Sequence, residues 1–156
     1  MKINIASNEV AHFIGIGGIG MSGLAQIMNN MGFTVQGSDL IRNKNTERLV
    51  KLGMKVYLSH HPKNLKKVTM VIISSAIKKS NKELKAAMCK KLPIYKRGEM
   101  LANIVALKKN IVVTGSHGKT TTTSLVANIL VEAGLDPTVI NGGIINSLKN
   151  TAQLGK

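Results

Sequence analysis

The sequence predicts an α/β protein built on a parallel sheet with helices on both faces, and three observations lead there. Short apolar, β-branched runs alternate with segments of helical periodicity along the chain. The first such run leads straight into a glycine-rich turn that opens a helix, Gly15-Ile16-Gly17-Gly18-Ile19-Gly20. A second strand-to-helix turn, Thr114-Gly115-Ser116-His117-Gly118-Lys119-Thr120-Thr121, then starts the pattern again.

Taken in order, His12 to Ile16 reads as the first buried strand. Met21, Leu24, Ala25, Met28 and Met31 share one face at helical spacing, and Gly32 is placed to end that helix. Phe33 to Gly37 is a second strand, Thr46 to Leu52 a short helix closed by Gly53, and Lys55 to Leu58 a third strand. The run from Val68 to Ser74 is apolar and β-branched, as a central strand should be. Ser80 and Glu83 have capping-box spacing and open a helix that ends near Lys90. Leu92 to Tyr95 is a strand, and Glu99 to Leu107 a helix with Met100, Leu101, Ile104 and Val105 inward.

After the polar break Lys108-Lys109-Asn110, a strand is expected at Ile111 to Thr114. A helix follows to about Ala133, with Leu125, Val126, Ile129 and Leu130 on its apolar face. Gly134 and Pro137 stop it, Thr138 to Asn141 begins another strand, and the tail from Gly142 shows no strong pattern. The expected organisation is a complete domain over 1–107 and the opening strand–loop–helix–strand of a second over 108–156, too short to close a core of its own.

Composition narrows the class. Of 156 residues, 44% are hydrophobic and 19% charged, which fits a soluble folded protein. No apolar stretch approaches the roughly 20 residues that cross a bilayer, and the first ten residues have no signal-peptide core. Cys89 is the one cysteine and reads as a semi-buried helix residue, so a cytoplasmic location is expected. The net charge of +15 raises nucleic-acid binding as a rival. Yet the positive charge is scattered lysine, with Arg42, Arg48 and Arg97 the only arginines, and aromatics for base stacking are almost absent. Solvated surface lysines, and no nucleic-acid partner, are expected. The methionines at helical spacing read as core filler. His12 reads as a residue near the sheet edge, and adjacent His60-His61 lack a third ligand for a metal site.

The first loop matches G-x-G-x-x-G between a strand and a helix, where glycine lets backbone amides approach a diphosphate and the helix N-terminus adds its dipole. Asp39 follows 19 residues after Gly20, where a ribose hydroxyl would be met. NAD is the usual ligand of this fingerprint, so an NAD-dependent oxidoreductase is a rival, but it predicts no second phosphate loop. In that second loop backbone amides wrap phosphates, Lys119 supplies charge toward the β- and γ-phosphates, and the Thr120 hydroxyl suits Mg²⁺. Its spacing is the short G-x-x-G-K-T form.

The two loops in this order resemble those of the Mur ligase family. The stretch Gly-Ile-Gly-Gly-Ile-Gly-Met-Ser-Gly-Leu-Ala from Gly15, together with His117, is most similar to the branch that attaches L-alanine. Further matches are Gly37-Ser38-Asp39, Ser74-Ser75-Ala76-Ile77, Arg97-Gly98-Glu99-Met100-Leu101 and Asn141-Gly142-Gly143, so the resemblance spans essentially the whole chain.

The resemblance implies a Rossmann-like UDP-sugar domain followed by the start of a central ATPase domain. It implies UDP-N-acetylmuramate, L-alanine, ATP and Mg²⁺ as ligands. Gly15, Gly17, Gly18, Gly20, Met21 and Ser22 would line the diphosphate, and Asp39, His60, Ser75, Ala76 and Ile77 would lie near nucleoside or sugar. Gly115, Ser116, His117, Gly118, Lys119, Thr120 and Thr121 would hold ATP, with Lys119 and Thr120 serving catalysis. The γ-phosphate would pass to the muramyl carboxylate, and the amine would displace it from the acyl phosphate. None of the acids Glu9, Asp39, Glu47, Glu83, Glu99, Glu132 and Asp136 lies on a later strand facing the phosphate loop, and the family's C-terminal domain is absent. The chain is therefore expected to be an N-terminal portion without turnover of its own. A relative that attaches recycled peptide to the same UDP sugar is the alternative inside the family.

Overall fold

Five short strands running the same way form the sheet of the first unit: β1 (Val10–Ile14), β2 (Thr34–Ser38), β3 (Lys55–Tyr57), β4 (Met70–Ile73) and β5 (Ile94–Lys96). Their order is β3-β2-β1-β4-β5, seen in a computed structural model that describes residues 9–107, 109–140 and 152–153. The chain divides into two units, Met1–Leu107 and Lys108–Lys156. Register pairs His12 with Gln36 and Val71, and Ile14 with Ser38 and Ile73.

Because side chains alternate along a strand, the two faces differ. Ile14 and Val71 meet Leu65 of a 3-10 turn (Pro62–Leu65) and Leu84 and Ala87 of α3 (Lys82–Cys89) in one buried cluster. The opposite face carries Ala11 and Phe13, both fully buried, on the side of α1 (Ile19–Asn30) and α4 (Arg97–Val105). Beside α1 packs α2 (Lys44–Lys51).

Element ends follow local chemistry more closely than periodicity indicated. β1 stops at Ile14, short of the expected Ile16, because Gly15 takes φ +84° and the Gly15 and Ile16 amides both turn to the Ser38 carbonyl at 2.8 and 3.0 Å. Helix α1 accordingly starts at Ile19, with Gly20 in its first turn. Helix α2 starts at Lys44 because Asn43 caps it, accepting from the Asn45 and Thr46 amides at 3.0 Å each. The cap of α3 is Asn81 rather than Ser80, accepting from the Glu83 and Leu84 amides at 2.9 and 3.0 Å, and this releases the Glu83 side chain from the capping box assigned to it. His12 lies on the central strand, not near an edge, and is fully buried.

The second unit contains α5 (Lys119–Glu132) and a short antiparallel pair, β6 (Val139–Ile140) with β7 (Ala152–Gln153). The strand expected at 111–114 is not formed: among the described residues no strand pairs with it, and Ile111 and Val112 are exposed. The expected apolar face of α5 is largely open, with Leu125 and Ile129 exposed and Ala127 buried against Val139. The Asn141-Gly142-Gly143 match lies outside the described residues. No helix among the described residues is long and apolar enough to cross a membrane.

Candidate functional site

All five parallel strands end on one edge of the sheet, and the chain reverses its direction of travel across the sheet between β1 and β4. Such a reversal leaves a crevice at the carboxyl ends, the usual place for a ligand in an open α/β sheet. The glycine loop fills this position. A Cβ on Gly15 would stand 3.2 Å from Ser74 Cβ and 3.5 Å from Ile77 Cδ1, so the loop abuts the corner that follows β4. Ser75 and Ala76 of that corner are exposed beside it.

Besides the Ser38 carbonyl, the loop is held from its β2 side at both polar groups of Gly17. Asp39 Oδ2 accepts the Gly17 amide at 2.7 Å, while Asn45 and Asn43 donate to the Gly17 carbonyl at 2.8 and 3.3 Å. A side chain at Gly17 would stand 2.9 Å from Asn43, Asp39 and Thr46 atoms alike, which explains the glycine. Asp39 thus sits at the loop and fixes its shape. Gly18 and Gly20 are exposed at the mouth, where the Ile19, Gly20 and Met21 amides form the first turn of α1 and have no intrahelical acceptor. The Arg97 side chain crosses this point, with its Nε 3.4 Å from where a Gly20 Cβ would lie. Sequence reasoning carried Arg97 only as part of a motif; its place at the head of α4, one strand past the crevice, puts a cation at the loop.

Ser22 is a correction. It is fully buried, its amide donates to the Gly18 carbonyl at 2.8 Å and its hydroxyl to the Ile19 carbonyl at 3.0 Å. Those bonds make it a brace for the first helical turn rather than a loop-lining group. Met21 is likewise buried, in the core of the first unit.

Beneath the loop lies a polar network that sequence reading missed, centred on Glu83. This carboxylate is fully buried, with His12 Nε2 at 3.0 Å and Asn64 Nδ2 at 2.9 Å from Oε1. Its Oε2 receives the Ser38 hydroxyl and lies 3.2 Å from His60 Nδ1. His60 Nδ1 is also 2.8 Å from Ser38 Oγ, and Ser38's backbone carbonyl is the group that holds Gly15 and Ile16. Burial raises the carboxyl's pKa, but the hydrogen bonds from His12, Ser38 and Asn64 outweigh it and hold Glu83 below its ordinary 4.5. A depressed carboxyl contributes stability that is fully present above its unfolded value and is lost as pH falls through the folded one. The urea midpoint of the chain is therefore expected to hold steady from neutral pH down to the ordinary value and to fall below it. A midpoint flat to well below that value, followed by circular dichroism, would contradict this.

In the second unit, Gly115 takes φ +150° and Gly118 φ +74°, the latter at the N-cap of α5 where only glycine sits without strain. Lys119 Nζ folds back over this loop, donating to the Gly115 carbonyl at 2.5 Å and the Ser116 carbonyl at 3.1 Å. Loop, helix N-terminus and pinned ammonium fit a nucleotide's phosphates. Ser116, His117, Thr120 and Thr121 are exposed around it. For Mg²⁺, Thr120 in the first turn of α5 is a suitable oxygen ligand; among the described residues no cluster of acids, histidines and cysteines could hold a metal.

A family model described as Mur ligase family, catalytic domain, matches residues 10–109. UDP-N-acetylmuramate–L-alanine ligase of Pelagibacter ubique is 66% identical over 156 residues, covering 100% of this chain and 34% of that protein. The same-named ligase of Rickettsia canadensis is 56% identical, over 99% of this chain and 32% of its own length. The chain therefore spans about a third of the curated relatives it matches. Among solved structures, UDP-N-acetylmuramate-alanine ligase from Thermotoga maritima superposes with TM-score 0.86 at 35% identity, over 93% of this chain and 34% of that one. A UDP-N-acetylmuramate:L-alanyl-gamma-D-glutamyl-meso-diaminopimelate ligase from Neisseria meningitides gives TM-score 0.85 at 33% identity, over 94% and 46%.

Proposed function

The chain belongs to the Mur ligase family, and from that membership we propose that it binds UDP-N-acetylmuramate and ATP for the ligation of L-alanine in peptidoglycan precursor synthesis. The observation that carries the reading is the pair of phosphate loops, each on a helix N-terminus, one in each unit. The L-alanine ligases at 66% and 56% identity support alanine as the amino acid. The neighbour that takes a peptide in place of alanine favours the alternative, attachment of a peptide to the same UDP sugar. A cytoplasmic setting follows from the proposed substrates.

In this reading the amides of Ile19 and Gly20, exposed at the head of α1, and the Arg97 guanidinium receive the diphosphate of the UDP sugar. Gly15 and Gly17 permit the loop's close approach, Asp39 holds its shape, and Ser75, Ala76, Ile77 and His60 flank nucleoside or sugar. The loop from Gly115 to Thr121 receives ATP. Transfer of the γ-phosphate to the muramyl carboxylate brings two anions together, and the Lys119 ammonium is the group of this chain that neutralises them. Mg²⁺ held in part by Thr120 would add charge neutralisation at the same phosphates. The amine then attacks the acyl phosphate carbon and phosphate leaves with the bonding pair. An NAD-dependent oxidoreductase gives the second loop no task.

Lys119→Met removes the ammonium while keeping a good helix former at the start of α5. Loss of a charge-assisted contact of about 1.5–3 kcal/mol is expected to weaken ATP·Mg²⁺ binding at least tenfold. UDP-N-acetylmuramate affinity should be unchanged. Equal ATP affinity in the two proteins, measured by calorimetry, would remove Lys119 and its loop from the ATP site.

A further inference from the structure

Lysine is scattered along the sequence, yet the fold gathers much of it on one side of the first unit. Residues 61–91 hold nine lysines and no arginine, and all nine lysines are exposed. The one acid of this stretch, Glu83, is fully buried with its histidines. Apart from β4, the stretch consists of the 3-10 turn, α3 and the turns around them, which pack on the Ile14–Val71 face of the sheet. Lys90 ties the two elements together, its ammonium donating to the Leu65 carbonyl at 3.1 Å. Among the described residues no carboxylate pairs with any of these lysines; the basic partners in ion pairs are His12, His60 and Arg42. On the other side of the sheet, α1 carries no charged residue. The field of the first unit is therefore one-sided.

Two of the nine lysines stand where the backbone takes glycine more readily. Lys67 and Lys91 have φ +61° and +52°, each directly after the cap residue that ends its helical element. At the same place after α1, α2 and α5 stand Gly32, Gly53 and Gly134. A side chain at such a φ meets a steric cost that glycine avoids, so turn geometry does not account for lysine at either position.

The chemistry of the face selects its partner. Nucleic-acid recognition draws on arginine forks and stacked aromatic rings, and residues 61–91 contain no arginine, phenylalanine, tyrosine or tryptophan. A layer of lipid phosphates needs only point charges spread over a surface. Met88, exposed and in line with Lys82 and Lys85 at three-residue spacing on α3, adds an apolar side chain that can enter such a layer. We propose that the α3 face docks the first unit on an anionic lipid surface, of the kind a cytoplasmic leaflet presents. The glycine loop opens α1 on the opposite face of the sheet and stays accessible when α3 faces the lipid. This docking goes beyond the ligand reading above and does not depend on it.

Co-sedimentation of the chain with vesicles tests the proposal. The chain should bind mixed phosphatidylglycerol–phosphatidylcholine vesicles at roughly 0.1 M salt, leave them at roughly 0.5 M as screening shortens, and ignore pure phosphatidylcholine. Lys67→Gly combined with Lys91→Gly should fold at least as well as wild type, because glycine is the easier residue at both turns. Its affinity for the mixed vesicles should fall about 25-fold, about fivefold for each lysine removed. Lys44→Gln combined with Lys51→Gln takes the same charge from α2, where both lysines are exposed, and should weaken binding by less than about threefold. Equal losses in the two double variants would overturn the docking face and leave net charge as the cause. Failure to bind the mixed vesicles, or equal binding to both kinds, overturns the proposal outright. Tighter binding to a DNA duplex than to the mixed vesicles at the same salt would assign the face to nucleic acid and overturn it as well.

Discussion

Glu83→Ala is expected to lower the stability of the first unit by about 3–5 kcal/mol, a large part of what a small domain has. The carboxylate receives hydrogen bonds from His12, Ser38, Asn64 and His60, and its removal leaves the buried donors of His12, Ser38 and Asn64 without that acceptor. His12 and Ser38 are fully buried, so neither can turn to solvent for a substitute. Far-UV circular dichroism in urea gives the comparison. Glu83→Gln should cost less, since it keeps an oxygen for His12 and Asn64 but sets an amide against Ser38 and His60. An alanine variant within half a kcal/mol of wild type, on the ~0.5 kcal/mol scale of ordinary surface changes, would show that the network is not what holds these strands and turns together.

Gly37→Ala carries the second large effect, and it acts through space rather than polarity. A Cβ at Gly37 would stand 2.6 Å from the Phe13 carbonyl oxygen and 2.6 Å from Ile16 Cδ1. The carbonyl belongs to β1, whose pairing with β2 sets Phe13 opposite Gly37, so it cannot withdraw. Ile16 is fully buried at the base of the glycine loop, and pushing it moves the loop. A cost of about 1–3 kcal/mol is expected, with weakened UDP-sugar binding beside it. Gly98→Ala is the internal control: nothing lies within 4 Å of its added Cβ, and it sits in α4 without a left-handed φ. There alanine should be neutral or stabilising by up to about 1 kcal/mol. Equal urea midpoints for the two variants would contradict the packing account.

These two positions differ in how far the sequence disclosed them. Gly37 lies in a short motif next to Ser38 and Asp39, and both phosphate loops are local: strand, glycines and helix follow within a dozen residues. Local order also gave the alternation of strands and helices and most of the core, since periodicity reports burial directly. Glu83 was hidden because Ser80 and Glu83 fit a capping box, and Asn81 offers the same cap chemistry one residue along. Its partners at positions 12, 38, 60 and 64 are brought together only by the reversal of strand order. His12 was misplaced for the same reason: polarity suggested an edge, whereas a buried carboxylate satisfies it on the central strand. The segment 111–114 has strand composition, but a strand also needs a partner, and none of the described residues supplies one.

We propose a UDP-sugar site in the first unit and an ATP site in the second. Calorimetric titration of the chain with UDP-N-acetylmuramate, with NAD and ATP·Mg²⁺ in parallel, tests it most directly. Saturable binding of the UDP sugar and of ATP·Mg²⁺, with none of NAD, is the expected result. Binding of NAD without the UDP sugar would contradict it.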